Sequence, residues 1–527
     1  MRLDERINRP LCIPRAAFAL PALIAARALA LVTTIYTFLA FKARLPGGPI
    51  GFDEGFFVWS GWSILKGLVP YRDFVEIKPP VLFLAHAAAL RLFGFEGCRF
   101  RIFFEIFACT AILAFQVALM SRRVGTLMSL ALALAVCSLF VGPWHDTSLA
   151  DAESVGFSFY LLGLAALLAR TKYRRVADSI AAALMTCAVL SKEPFAASVI
   201  PTWVACMWLD YPVVTARQRA PQYIKSTMIG IAAVVLPLCI WLLLNGGLKC
   251  YFDTLVLEHT LFGDPQHSYA TSLGIFQPKG PLADALFSWQ KVRTIFFNVK
   301  VLGHLSLFGV AWLIFTPLQS WPLFLMSVAT LAGGLYSTTI GHCFWGHYFI
   351  LAQCGVAFAA AVGTISLSTR LNQIGPPIRV FLGVAALVAV LIPVWPIIAG
   401  YQITNGWDAA PMRGEPFRKV RAFIAQNTLP TDKIFTTGAP SLYVETDRID
   451  AARIVRSDEL LDVLPGNSDR EKARDLFDEL VAGRPKVVFL DPSAAARNRR
   501  YVESAILPFL QENHYQRAGT DLYIRPD

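Results

Sequence analysis

The sequence predicts a polytopic α-helical membrane protein with a small α/β domain at its C-terminal end. Three observations carry that prediction. Of 527 residues, 55% are hydrophobic and only 16% charged, where soluble domains carry roughly 25% charged residues. The apolar residues gather in blocks of about 20, the length that a bilayer-spanning helix requires. After Gly400 the blocks stop, and residues 401–527 mix 18 basic with 19 acidic residues. The expected division is therefore 1–400 for the membrane module and 401–527 for an appended external domain.

The first block, Ala17 to Phe41, follows Arg2, Arg6, Arg9 and Arg15. It is much longer than the roughly 7–15 residues of a signal h-region and no small-x-small cleavage site follows it, so it reads as a retained span. Further blocks cover about 101–120, 124–142, 154–170, 176–191, 194–209, 226–245, 294–316, 321–340, 344–365 and 378–399, for about eleven spans in all. With the N-terminus inside, cytoplasmic loops fall at Arg122–Arg123, Arg170–Arg175, Arg217–Lys225 and Arg370–Arg379, and each is basic. That is the bias expected of cytoplasmic loops. The alternate loops, 42–100, 143–153, 246–293 and 341–347, carry the acidic and histidine-bearing segments and are expected outside, as is the C-terminal domain.

Residues 80–94 are apolar but number only 15 and include His86 and Arg91. A full span here would invert every later loop, so the segment reads as a helix lying at the membrane surface. Glu54–Leu68, short, aromatic and amphipathic, reads the same way. Beyond Gly400, Lys433–Gly438, Pro485–Asp491 and Asp521–Arg525 read as strands, and Glu415–Asn427, Ser468–Ala482 and Ala496–Glu512 as helices.

The net charge of +11 is not a nucleic-acid signal, because the first 400 residues hold 30 basic against 18 acidic residues, in the region whose short loops collect Lys and Arg. Nor do the ten cysteines form a framework: Cys109, Cys137, Cys187, Cys206 and Cys239 sit inside apolar blocks, and residues 401–527 have none. The absence of an Asn-x-Ser/Thr sequon favours a bacterial inner membrane.

Four clusters could carry chemistry. Asp53 and Glu54 are adjacent carboxylates just after a span, where a falling dielectric shifts pKa values; the competing reading makes Asp53 a helix cap. Tyr71-Arg72-Asp73-Phe74 and Glu76-Ile77-Lys78-Pro79-Pro80 follow. Asp151 and Glu153 form an acidic pair in the next external turn, and Lys192 ends a later span, where a lysine can simply snorkel to the headgroups. The string Gly341-His342-Cys343-Phe344-Trp345-Gly346-His347-Tyr348 also suits an aromatic belt. Residues 246–293, with His259 among aromatics, make a long loop that reads either as a lid or as loose packing. Although scattered over nearly 300 positions, Asp53, Lys78, Asp151, Glu153, Lys192 and His347 all map to one outer face. Converging cations suit a lipid phosphate, and a carboxylate suits a base for a hydroxyl.

These motifs resemble the GT-C superfamily of membrane glycosyltransferases. The similarity is to the branch of dolichyl-phosphate-mannose protein mannosyltransferases and lipid A aminoarabinose transferases. It rests on the carboxylate pair Asp53-Glu54, the Lys78-Pro79-Pro80 element some 25 residues on, the acidic turn at Asp151 and Glu153, Ser191-Lys192-Glu193-Pro194, the late His347-Tyr348, and a C-terminal domain with the KIFTTG, VVFLD and FLQENHYQ segments. Many relatives have His where this chain has Lys78. The resemblance implies an inverting transfer of a sugar from a polyprenyl-phosphate donor to a cell-envelope acceptor. It assigns Asp53 as base with Glu54 beside it, and Lys78 and Lys192, helped by Arg101 and His347, as partners of the donor phosphate. Asp151 and Glu153, with His259 in the later loop, would orient acceptor or sugar. No cofactor is expected, and a divalent metal is neither required nor excluded. A multi-pass transporter or lipid flippase is the main competing class, but it would place ionisable residues along a mid-membrane path. A membrane scaffold with a partner-binding domain is the other.

Overall fold

The computed structural model describes residues 15–42, 50, 52–140, 149–169, 172–209, 213–263, 279–280, 283–284, 286–290, 316, 321–339, 348–371, 376–399, 415–453, 469–492, 495, 499 and 502–526. Before residue 400 they include the helices α1 Arg15–Lys42, α2 Phe52–Leu65, α3 Pro80–Phe93, α4 Phe100–Ser121, α5 Thr126–Phe140, α6 Ala152–Leu168, α7 Arg174–Val189, α8 Ala196–Leu209, α9 Val213–Leu244, α10 Leu248–Gly263, α11 Trp321–Thr339, α12 Phe349–Leu371 and α13 Pro376–Ala399. The expected span 294–316 lies almost wholly outside the described residues. The presumed loop 246–293 opens instead with helix α10.

Four described helices, within α1, α4, α9 and α12, are long and apolar enough to cross a membrane, and α5, α6 and α13 are shorter apolar helices. The α12 segment is 89% buried, the centre of the bundle, whereas that in α9 is 17% buried and faces outward. Leu236, Ile240, Leu243 and Leu244 on α9, with Phe381, Val384, Val388 and Ile392 on α13, are exposed, as a lipid-facing surface requires. Between helices the apolar surface supplies little drive in lipid, so close approach and hydrogen bonds do the holding. Gly333 of α11 shows this: a Cβ there would lie 2.0 Å from the Ala197 carbonyl oxygen. Nearby, Tyr160 Oη lies 2.7 Å from Thr202 Oγ1, and Ser337 Oγ donates to the Pro194 carbonyl at 2.7 Å, tying α6, α8 and α11 together.

Helix α3, at 14 residues, is about 21 Å long and cannot cross a hydrocarbon core of about 30 Å. Its His86 is fully buried between the rings of Phe57 and Phe104. Helix α2 departs from the amphipathic surface helix that its sequence predicts. Phe56 through Trp59, Ser60, Trp62 and Ser63 are all buried, because α3 covers one side and the C-terminal segment another.

That segment contains α14 Glu415–Asn427, β1 Lys433–Thr437, α15 Ser441–Thr446, β2 Ile449–Asp450, α16 Asp469–Gly483, β3 Val487–Leu490, α17 Leu507–Glu512, β4 Gln516–Gly519 and β5 Leu522–Ile524. The sheet order is β2-β1-β3-β5-β4. Strands β2, β1 and β3 run parallel, with Ile434 opposite Val487, and β5 returns antiparallel to β3. Side chains alternate between two cores, as a period of two demands. Ile434, Val487 and Phe489 join the core shared with the helical bundle, while Phe435, Val488 and Leu490 pack with Leu476, Ile506 and Phe509 on the other face. Helix α15 therefore lands on α2: the Trp59 and Tyr443 rings lie 5.9 Å apart, and Lys66 pairs with Asp447 at 2.7 Å.

Candidate functional site

Asp53 and Glu54 occupy the first turn of α2, where helix N-terminal amides favour negative charge. Glu54 is buried, and Arg101, from the first turn of α4, grips it with both arms of its guanidinium: Nε to Oε1 at 2.6 Å and Nη2 to Oε2 at 2.5 Å. This bidentate pair fixes α2 against α4. Asp151 immediately precedes α6, is buried, and adds its charge at Arg101.

Glu153, in the first turn of α6, pairs with Lys192. Lys192 sits in the turn after α7, 5% exposed, with its ammonium 3.8 Å from the centre of the Tyr348 ring. It interacts electrostatically with Glu153, Lys78 and Asp53 together. Lys78 reaches the same place from the strap 69–79 that joins α2 to α3. The start of α3 docks beside Lys192, since the Val81 N–H donates to the Leu190 carbonyl at 3.1 Å. In the strap, burial pushes the Asp73 carboxyl up, but bonds from Arg72 and the Val69 N–H outweigh this and hold it below the usual carboxylate range. The chain is thus pinned before it reaches Lys78.

Seven sequence-predicted residues therefore gather at one end of the bundle: Asp53, Glu54, Lys78, Arg101, Asp151, Glu153 and Lys192. His347 lies outside the described residues, as does the side chain of His259, although α10 carries that position. Two of the pairings refine the sequence reading. Glu54 is bound by Arg101 and Glu153 by Lys192, so Arg101 already holds a carboxylate in this structure. Three participants were missed: Tyr348 against Lys192, Tyr71, whose hydroxyl donates to the Lys78 carbonyl at 2.7 Å, and buried Glu76, which accepts the Lys78 N–H at 3.1 Å. Each belongs to a string already singled out, but an ammonium over a ring and bonds to the main chain leave no compositional mark. Among the described residues, no group of three or more His, Cys, Asp or Glu comes together as a metal site.

No protein-family model and no curated relative matches the chain. Solved structures do. ArnT from Cupriavidus metallidurans, bound to undecaprenyl phosphate, superposes with a TM-score of 0.55 at 14% identity, covering 96% of this chain and 98% of its own. The apo state of the same protein gives 0.52 at 13% identity, covering 97% and 98%. The chain shares the fold of these ArnT structures, which are GT-C glycosyltransferases. A third GT-C structure, the Archaeoglobus fulgidus oligosaccharyltransferase with a tethered acceptor peptide, superposes less well, at 0.48 and 13% identity over 95% of this chain and 74% of that one. Within the GT-C frame, the apolar helices make this a multi-pass membrane protein.

Proposed function

We propose that this chain is an inverting glycosyltransferase that moves a sugar from a polyprenyl-phosphate donor to an acceptor hydroxyl at the non-cytoplasmic face of a bacterial inner membrane. The observation that carries the reading is the meeting of Asp53, Lys78, Lys192 and Glu153, drawn from four separate elements, at one end of an apolar bundle. The GT-C fold supports it, and ArnT was solved with undecaprenyl phosphate bound. Residues 1–400 then form the catalytic module, with about eleven spans, and 401–527 an external domain.

In this mechanism the acceptor oxygen attacks the anomeric carbon as Asp53 removes its proton. The bond from that carbon to the phosphate oxygen breaks, with inversion, and polyprenyl phosphate leaves as an anion held by Lys78 and Lys192. A phosphate is weakly basic, so its departure needs cationic neighbours rather than a strong acid. Glu153 orients Lys192, and the Glu54–Arg101 pair orients the turn that bears Asp53. Lysines supply the charge that a metal would otherwise provide. The acceptor is a lipid A, lipopolysaccharide core, glycolipid, polysaccharide or protein hydroxyl.

Asp53→Asn tests the base. With a radiolabelled polyprenyl-phosphate sugar, the variant is expected to lose at least a hundredfold in turnover, the lower end of what general-base catalysis supplies, while still binding donor. Turnover near that of the unaltered protein would refute the role.

A further inference from the structure

Resting on the donor-phosphate role of Lys78, we infer that Tyr71 is a positioning residue that sets the Lys78 ammonium, and that Arg453 of the C-terminal segment holds Tyr71 in place. Tyr71 has φ of 69°, a left-handed conformation that a bulky side chain adopts only when its surroundings enforce it. Such strain concentrates at functional sites. Here the enforcing contacts are explicit. The Tyr71 N–H donates to the Phe74 carbonyl at 2.8 Å, and its ring, 2% exposed, packs 4.9 Å from Tyr251 and 6.3 Å from Phe83. Arg453 donates from Nη2 to the Tyr71 carbonyl at 3.4 Å, and its own carbonyl accepts the Val75 N–H at 3.1 Å.

What this conformation achieves is the bond from the Tyr71 hydroxyl to the Lys78 carbonyl. The other main-chain constraints on Lys78 are already fixed: Glu76 takes its N–H, and Pro79 restricts it to extended backbone. With its carbonyl also held, Lys78 has one backbone orientation, from which its charge acts on Lys192. The strap thus lies between the C-terminal segment, through Arg453, and the α9–α10 corner, where Arg72 donates to the Asn245 carbonyl at 2.7 Å.

The test is a double-mutant cycle on the purified full-length protein, with undecaprenyl phosphate as the probe and binding followed by tryptophan fluorescence. Tyr71→Phe removes one hydroxyl and keeps the ring. It is expected to weaken binding about three- to tenfold, the range of one well-placed hydrogen bond, with an unchanged thermal midpoint. In a Lys78→Ala background the same change is expected to do nothing further, because Tyr71 acts only through Lys78. Wild-type affinity in Tyr71→Phe, or an equal loss in both backgrounds, overturns the inference. Should Tyr71→Phe fail to fold, Arg453→Gln at an exposed position replaces it in the cycle, with the same expectation and the same refuting outcomes. If the unaltered protein does not bind undecaprenyl phosphate at all, it is the glycosyltransferase reading that fails.

Discussion

Lys192 and Glu153 show how much of this site is decided by single side chains. Their side chains are 6% and 5% exposed and lie in contact, so each charge offsets the burial of the other. Removing one partner of a buried pair leaves an uncompensated charge and costs roughly 3–5 kcal/mol, whereas replacing both can be neutral. Lys192→Met is therefore expected to lower the thermal midpoint sharply in detergent, and Lys192→Met with Glu153→Gln to recover most of it. An unchanged midpoint in the single variant would mean that the pair does not form. The residue types of the site were legible in the sequence, because carboxylates and lysines at the outer ends of apolar blocks are few. Their pairing was not. Arg101 reads in the sequence as a partner of the donor phosphate, and its pairing with Glu54, 47 positions away, shows only when α4 is set against α2.

Elements turn those residues into a site through close packing, and α2 against α3 is the contact that matters most. Gly61 of α2 permits it: a Cβ at that position would lie 2.6 Å from the Ala87 amide nitrogen and 2.7 Å from the His86 carbonyl carbon. Backbone cannot yield as a flexible side chain does. Gly61→Ala is expected to push α2 away from α3, separating Asp53 from Lys78, so donor turnover falls at least tenfold and stability falls with it. A variant with full turnover would show that α2 and α3 are not rigidly coupled. Elements with a clear period were readable: Glu415–Asn427 reads to its observed bounds because apolar and polar residues recur at helical spacing. Those without one were missed. Strand β2 is two residues long, and β4, Gln516–Gly519, is fully exposed and polar, held only by pairing with β5. The helix expected over Ala496–Glu512 ends in α17, entered through a π-helical turn at Val502–Ile506.

At the scale of the whole molecule, charge separates along the bundle. Helix α4 begins beside Arg101 in the site and ends at Arg122, after 22 residues or about 33 Å. Arg122 Nη2 donates to the Leu167 carbonyl at 3.4 Å, and its Nε to Leu168, at the end of α6, whose start carries Asp151 and Glu153. Helices α4 and α6 are therefore parallel, with the acidic site at one end and the arginines at the other. Arg174 joins the basic end by donating to the Leu167 carbonyl at 2.7 Å. Basic residues at helix C-termini are favoured by the helix dipole on either side of a membrane, but their clustering in short loops marks the cytoplasmic side. The proposed function puts the site on the opposite side, together with the C-terminal segment that covers α2. Two cysteine substitutions test this in sealed vesicles of known orientation with a membrane-impermeant maleimide. Gly125→Cys, where an added Cβ meets nothing within 4 Å, is expected to label only from the cytoplasmic side. Leu429→Cys, at a position 67% exposed near β1, is expected to label only from the other. Labelling of both from one side would put the site and the arginines on the same face of the membrane, which a 33 Å helix between them does not allow.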